Sequence, residues 1–117
     1  METVTTIEQA YGELIPPQTI DTIVRAIARH FSPLQIILFG SYASGQATLD
    51  SDLDLLVIMD GDLPRHKRAT PIRLLFRPTP CAMDILVYTP QEIAEWNGTP
   101  NHVITEALRS GRVVYAR

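Results

Sequence analysis

The amino-acid sequence predicts an α/β (α+β) fold, in which a mixed β-sheet of about four strands is flanked by helices. The first observation is a set of short apolar runs, rich in isoleucine, valine and leucine, that have the length of strands. The second is that segments with helical spacing of apolar residues separate these runs. The third is the length of 117 residues, which suits one core, so residues 1–117 are expected to form a single domain.

The first third of the chain predicts helices followed by a buried strand. Residues 5–15 have weak helical character, which ends at Pro16-Pro17. Apolar residues recur at helical spacing from Gln18 to Phe31, and Ser32-Pro33 ends that helix. Leu34 to Phe39 is a run that is apolar apart from Gln35, and such a run is typical of a strand buried on both faces.

The middle of the chain predicts a strand between two polar connections. A short helical turn is expected over residues 42–46, followed by a polar loop over residues 47–51. Asp52 to Met59 reads as the second strand, and Asp60-Gly61-Asp62 is a turn signal. The segment from Arg65 to Arg77 is compatible with a helix that Pro71 kinks or splits.

The last third predicts two strands and two helices. Ala82 to Tyr88 is the third strand, and Thr89-Pro90-Gln91-Glu92 has the residue types of a capping box. Thr99-Pro100 begins another helix, whose end is marked by Gly111. Arg112 to Ala116 is expected to form a short final strand.

Composition narrows the class of protein. The net charge of −3 gives no global basic field, so there is no strong case for a nucleic-acid partner. The single cysteine, Cys81, lies in an apolar stretch and is most simply a core residue. No signal peptide is apparent, and the apolar runs are far shorter than the roughly 20 residues that span a bilayer. We therefore expect a cytoplasmic protein without a membrane partner.

A Gly-Ser turn and two aspartates form the first candidate site. Gly40-Ser41 follows the first strand, and Asp52 and Asp54 begin the second. Residues two apart in a strand point to the same face, so the two carboxylates should project together and repel unless a hard cation binds them. The turn could hold phosphate oxygens beside that cation. Aspartates also commonly turn or cap a chain at strand ends, so this pair alone is a weak signal.

A third carboxylate strengthens the signal. Asp84 interrupts the apolar run from Ala82 to Val87, where an ionised aspartate is costly unless it is paired, hydrogen-bonded or bound to a metal. Three carboxylates at the ends of strands would form an oxygen-rich site suited to Mg²⁺. The sequence therefore predicts metal binding by Asp52, Asp54 and Asp84.

The combined pattern resembles the nucleotidyltransferase superfamily of DNA polymerase β-like enzymes, and more closely its stand-alone minimal nucleotidyltransferases. The resemblance rests on Leu38-Phe39-Gly40-Ser41, on Ser51 to Val57, and on the strand that contains Asp84. Gly111 to Tyr115 resembles the C-terminal strand of that family. The resemblance runs from about residue 18 to the end of the chain.

The resemblance implies a role for each site residue. Asp52 and Asp54 match the pair that coordinates Mg²⁺ and positions a triphosphate, and Asp84 matches the third carboxylate, which binds the catalytic metal and helps to deprotonate the acceptor hydroxyl. Gly40 and Ser41 match the turn that contacts the β- and γ-phosphates. The implied reaction moves a nucleoside monophosphate onto a hydroxyl and releases pyrophosphate, with two metal ions stabilising the attacking and leaving oxygens.

Two further features of the sequence bear on the expected binding of a triphosphate and an acceptor: the residue before Gly45 and a basic cluster. Relatives often carry an arginine before the glycine of the Ser-x-x-x-Gly segment, whereas Ser44 stands there in this chain. A basic cluster follows the second strand and reads either as a solvated helix face or as a rim for a nucleotide, a tRNA-like acceptor or an acidic partner. The cluster, with its neighbouring histidine, consists of Arg65, His66, Lys67, Arg68, Arg73 and Arg77.

Three functions are compatible with these features of the sequence. The first is a Mg²⁺-dependent transfer of AMP from ATP to a partner protein, because the chain has little room for an acceptor-binding domain. The resemblance implies that this partner is a HEPN-domain toxin and that the chain is its antitoxin. The second is a binding module that neutralises its partner without catalysis, which the absence of the arginine favours. The third is transfer to a small molecule such as an aminoglycoside, with the acceptor pocket built by an oligomer.

Overall fold

The computed structural model describes residues 7–117, and these residues form one four-stranded sheet with helices on both of its faces. Five α-helices and one 3₁₀ turn accompany the four strands in this range. In chain order the elements are α1 (Pro17–Phe31), β1 (Gln35–Phe39), α2 (Ser41–Ser44), β2 (Leu53–Ile58), the 3₁₀ turn (Arg65–Lys67), α3 (Ala69–Arg73), β3 (Met83–Tyr88), α4 (Pro90–Trp96), α5 (Val103–Ser110) and β4 (Arg112–Ala116).

The sheet is mixed, with the strand order β3-β2-β1-β4. Strand β1 pairs in the antiparallel sense with both β2 and β4, whereas β2 and β3 are parallel. The parallel pair requires a crossover, which the 3₁₀ turn and α3 provide. The predicted α+β class with about four strands is therefore confirmed.

The two faces of the sheet carry separate cores. Leu53, Leu55 and Val57 of β2 pack with Ile23 and Ile27 of α1 on the first face. The alternate β2 residues, Leu56 and Ile58, pack with α5 residues on the second face, where partly buried side chains of α4 also join the core. This alternation is the period-two pattern of a strand buried on both sides. A residue of β2 or β3 can therefore be assigned to a face by counting.

Most predicted elements agree with the structure to within one or two residues at their ends. The predicted capping box at the start of α4 is confirmed: the Glu92 amide donates to Thr89 Oγ1 at 3.2 Å, and the Thr89 amide donates to Glu92 Oε1 at 2.9 Å. The predicted helix from Arg65 to Arg77 is split, because the 3₁₀ turn ends at Lys67 and α3 covers only Ala69–Arg73. Pro71 is tolerated because it lies in the first turn of α3.

The weak helix expected over residues 5–15 is wrong for the residues that can be checked. Residues 5 and 6 lie outside the described part of the chain, and residues 7–15 contain turns rather than a helix. Gly12 takes a left-handed φ of +72°, and the Ala10 amide donates to the Pro80 carbonyl at 2.7 Å. Contact with the rest of the fold therefore replaces the hydrogen bonds that a helix would make.

Within residues 7–117, every helix is too short or too polar to cross a lipid bilayer.

Cys81 is fully buried in the first core, as its apolar surroundings predict. Burial and the negative charge of Asp52 raise the pKa of its thiol to about 11, so the thiol stays protonated near neutral pH.

Candidate functional site

Asp54 and Asp84 are brought together by the pairing of β2 and β3. They are direct partners in the register of these parallel strands, whose axes lie about 4.8 Å apart in any sheet. Asp54 shares a face with Leu56 and Ile58, and Asp84 shares that face with Leu86 and Tyr88. Both carboxylates therefore stand on the second face of the sheet.

The carboxylates occupy the end of this face that the helices leave open. Leu56, Ile58 and Tyr88 are buried in the second core, whose helical members come from α4 and α5. Asp54, by contrast, is half-buried, and the side chain of Asp84 is 54% exposed. A charged pair can form here because water and ligands reach this end of the face.

Gly40 forms a wall of the site. Its backbone has φ +74° and ψ −155°, and a Cβ at this position would collide with the Asp54 carboxylate. Glycine is therefore required both for the backbone conformation and for the approach of Asp54. Ser41 follows as the first residue of α2 and is half-buried. The structure thus places the Gly-Ser turn directly against one of the predicted carboxylates.

Asp52 stands at the rim rather than inside the strand. It precedes the first residue of β2 and is exposed, and the Leu53 amide beside it donates to the Ala82 carbonyl at 2.9 Å. A turn upstream fixes the approach of the chain, because the Thr48 amide donates to Ser51 Oγ at 2.8 Å. The negative charge of Asp52 still reaches Asp54, as the electrostatics of Asp54 show.

The pKa of Asp54 is raised to about 6 from the ordinary value of 3.8. Desolvation by burial is the largest cause, followed by repulsion from Asp84 and then from Asp52. Each of these effects disfavours the ionised form of a carboxyl group. A bound divalent cation would offset all three, so the donor set of hard carboxylate oxygens fits such an ion.

The three carboxylates do not form a closed metal cluster. Within residues 7–117, no three His, Cys, Asp or Glu side chains converge closely enough to be a ready-made ion site. The pairing of Asp54 with Asp84 is direct, whereas Asp52 acts on it from the rim. Coordination by all three residues therefore stays a prediction.

Arg73 is a residue of this region that the sequence did not single out. Its Nη2 lies 3.7 Å from Asp84 Oδ1, and its Nη1 donates to the Met83 carbonyl at 3.1 Å. The sequence placed Arg73 only within the basic cluster, because no local pattern links a residue of α3 to a carboxylate of β3. Asp84 and Arg73 also line a groove of about 370 Å³, which Arg65, His66 and Thr70 extend along β3.

Some residues of the basic cluster contact other side chains of the fold, whereas others are free in solvent within the part of the chain that the structure describes. Arg68 forms an ion pair with Glu92, and the Arg65 guanidinium lies 5.2 Å from the centre of the Tyr88 ring. Lys67 and Arg77 are exposed. Trp96 stacks on His102 with ring centres 4.4 Å apart and packs against the second core.

Comparison with solved structures gives the same fold. A protein from Sulfolobus solfataricus, described as a nucleotidyltransferase, matches with a TM-score of 0.58 and 21% identity, over 84% of this chain and 78% of that chain. A toxin–antitoxin structure with AMP-PNP matches with a TM-score of 0.53 and 17% identity, over 83% and 73% of the two chains. A mutant of the toxin–antitoxin complex MntA-HpeT matches with a TM-score of 0.53 and 16% identity over the same shares.

The comparison of sequences defines the family. No curated protein is significantly similar to the chain. The nucleotidyltransferase domain family, however, matches residues 20–109, which include both strands of the carboxylate pair and the Gly-Ser turn. The chain therefore belongs to the nucleotidyltransferase domain family, in agreement with its resemblance to minimal nucleotidyltransferases.

Proposed function

We propose that this chain is a Mg²⁺-dependent nucleotidyltransferase that moves AMP from ATP to a hydroxyl group of a partner protein, and that it acts as an antitoxin. The observation that carries the proposal is the register pairing of Asp54 with Asp84 beside Gly40, at the open end of the second face. Family membership supports nucleotidyl transfer as the reaction class.

The proposed residues divide the reaction between them. Asp52, Asp54 and Asp84 would hold two Mg²⁺ ions, which when bound supply positive charge for the attacking and leaving oxygens. Gly40 and Ser41 would hold the β- and γ-phosphates with backbone amides and a hydroxyl. Asp84, the more exposed partner of the pair, takes the proton of the acceptor hydroxyl. The acceptor oxygen then bonds to the α-phosphorus, and the bond to the pyrophosphate oxygen breaks.

The biological role draws on the structural neighbours. One of them is a toxin–antitoxin structure with AMP-PNP, and another is a mutant toxin–antitoxin complex in which two aspartates, two positions apart, are replaced by glutamate. These neighbours support a toxin as the partner of this chain. We propose a HEPN-domain protein as that toxin, with the chain working in the cytoplasm as a single nucleotidyltransferase domain.

A transfer assay tests the proposal. The chain is incubated with ATP labelled at the α-phosphate, Mg²⁺ and a HEPN-domain partner that forms a stable complex with it. We expect label on the partner, and a decrease of about 100-fold or more in the Asp54→Asn and Asp84→Asn variants. Asp62→Asn is the matched control, because Asp62 is an exposed aspartate of a turn. Absence of label from a partner in a confirmed complex would contradict the enzymatic proposal.

A second candidate is a binding module that neutralises its partner without catalysis. Two observations favour it: Ser44 leaves the turn without a cation, and residues 7–117 hold no closed metal cluster. The same assay separates the candidates, because the module would give a stable complex and no label. Label transfer to an aminoglycoside without any protein would instead support a small-molecule enzyme.

A further inference from the structure

The ion pair between Arg73 and Asp84 contributes little to the stability of the fold. The two side chains are 47% and 54% exposed, and their charged atoms are 3.7 Å apart. Ion pairs that are this exposed are strongly screened by water. The ion pair between Arg68 and Glu92 differs, since those side chains are only 14% and 22% exposed. Of these two arginines, Arg68 therefore has the structural role.

The position of Arg73 matters because basic residues are scarce in the segments of sequence that form the carboxylate site. The sequence contains no lysine or arginine between Arg29 and Arg65, a stretch that includes Asp52, Asp54 and the Gly-Ser turn. Among the described residues, Arg73 is the one basic side chain that forms an ion pair with any of the three carboxylates. Its second contact, to the Met83 carbonyl, holds the guanidinium at the edge of β3 beside the groove.

We propose that Arg73 is a positioning residue with two roles, an inference that rests on the proposed function. Without a divalent cation, the guanidinium balances the charge of Asp84 and thereby competes with the cation. When a triphosphate is bound, Arg73 supplies the positive charge that the Gly-Ser turn does not provide. The guanidinium suits the second role because its fork of N–H donors matches phosphate oxygens.

Binding of Mn²⁺ alone tests the first role. Mn²⁺ is titrated into the whole protein without nucleotide, and the free ion is measured by electron paramagnetic resonance. We expect Arg73→Gln to bind Mn²⁺ about 2- to 5-fold more tightly than the unmodified protein, because an exposed competing charge has been removed. Arg77→Gln is the control: it removes the same charge from an exposed arginine that forms no ion pair within residues 7–117.

Binding of a triphosphate tests the second role. The probe is α,β-methylene ATP with Mn²⁺, in which the bond that the proposed reaction breaks is resistant to cleavage. We expect Arg73→Gln to weaken its binding about 10-fold, whereas Arg77→Gln leaves it unchanged. Arg73→Lys keeps the charge but not the fork of donors, so it should restore the Mn²⁺ affinity of the unmodified protein and only part of the nucleotide affinity.

The combination of opposite effects distinguishes this role from a structural one. A loss of folding would weaken the binding of both Mn²⁺ and α,β-methylene ATP, and it would lower the urea concentration at the midpoint of unfolding. We expect this midpoint to be unchanged in Arg73→Gln. Unchanged or weaker Mn²⁺ binding in that variant would overturn the inference, as would unchanged nucleotide binding. If the unmodified protein itself binds neither Mn²⁺ nor α,β-methylene ATP, the proposed function fails first and this inference fails with it.

Discussion

Gly40 has a φ of +74°, and a Cβ on it would overlap the carboxylate of Asp54. The close approach of the Gly-Ser turn to the second strand therefore depends on the absence of a side chain at Gly40. This close approach also excludes water from one side of Asp54, in keeping with desolvation as the main cause of its raised pKa. The turn thus contributes to the electrostatics of the carboxylates as well as to the backbone geometry.

Replacement of Gly40 by alanine should damage both the fold and the site. We expect Gly40→Ala to lower the free energy of unfolding by about 2 kcal/mol or more, because the new Cβ must strain the backbone and displace Asp54. Urea unfolding measures the stability, and Mn²⁺ titration measures the site.

Gly45→Ala is the matched control for this prediction. Gly45 also has a positive φ, +79°, but a Cβ there meets no atom within 4 Å. It should cost only the backbone strain, about 1 kcal/mol, and leave Mn²⁺ binding intact. Equal losses of stability and Mn²⁺ affinity in the two variants would show that the contact with Asp54 is unimportant.

Removal of the negative charge of Asp54 should stabilise the fold and yet abolish activity. We expect Asp54→Asn to raise the free energy of unfolding by about 1 kcal/mol at pH 8 without divalent ions, since it removes a desolvated charge that Asp84 and Asp52 repel. The same substitution should abolish transfer. Urea unfolding beside Asp62→Asn checks the stability, and a lower stability of Asp54→Asn would contradict the repulsion that we describe.

At the residue scale the sequence predicted the carboxylates and the Gly-Ser turn as one site, but not the contact between Asp84 and Arg73. The spacing of Asp52 and Asp54, and the polar interruption by Asp84, are visible in the chain because they break apolar runs. Arg73 was not predicted as a site residue, because its contact with Asp84 depends on how α3 crosses over β3. Contacts of this kind come from tertiary packing and leave no local pattern.

Among the elements, α4 is held at its first turn by the carboxylate of Glu92, which makes two kinds of contact. Glu92 closes the capping box with Thr89 and also accepts a hydrogen bond from Arg68. These hydrogen bonds lower the pKa of Glu92 below its ordinary value of 4.5, and the bond from Arg68 is the largest cause. The start of α4 is thus fixed to the segment that precedes α3.

The lowered pKa of Glu92 predicts a pH dependence of stability. A carboxyl group with a lower pKa in the folded state stabilises the fold above its unfolded pKa, and this contribution is lost as the pH falls through the folded pKa. We expect Glu92→Gln to lose about 1 to 2 kcal/mol at pH 7, because Arg68 is left without its partner, and to approach the unmodified protein below pH 4.5.

The control for this prediction is Glu95→Gln on the same helix. Glu95 is exposed, and its carboxylate accepts one hydrogen bond, from Gln91, at 3.3 Å. We expect its unfolding curves to follow the unmodified protein from about pH 2.5 to pH 8, a range that extends well below the ordinary pKa of a glutamate. A constant difference between Glu92→Gln and the unmodified protein across this range would contradict the assigned charge interaction.

Most helices and strands could be predicted from the sequence, because the residue patterns that indicate them lie within the elements themselves. The apolar runs gave the strands, and Thr89 with Glu92 gave the cap of α4. Residues 7–15 were missed because their amides bond to distant groups, such as the Pro80 carbonyl and the Tyr42 hydroxyl. The 3₁₀ turn before α3 likewise contacts a residue far along the chain, because the guanidinium of its Arg65 lies 5.2 Å from the centre of the Tyr88 ring.

In the whole molecule, topology creates the site. The strand order β3-β2-β1-β4 makes β2 and β3 parallel neighbours, and only this pairing aligns Asp54 with Asp84. Helices α4 and α5 then close the second face over Leu56, Ile58 and Tyr88 and leave the carboxylate end accessible. The sequence predicted four strands in a mixed sheet, but strand order follows from packing across the whole chain and was not accessible to local patterns.

The proposed function requires that a divalent cation binds at the carboxylate end of the second face. Paramagnetic broadening by Mn²⁺ in ¹⁵N-labelled protein tests it most directly, because broadening falls steeply with distance from the ion. We expect substoichiometric Mn²⁺ to broaden the amides of Gly40, Asp54 and Asp84 first, and to spare those of Trp96 and Ile104. Asp54→Asn should remove the selective broadening, whereas broadening that is centred elsewhere, or that persists in Asp54→Asn, would contradict the account.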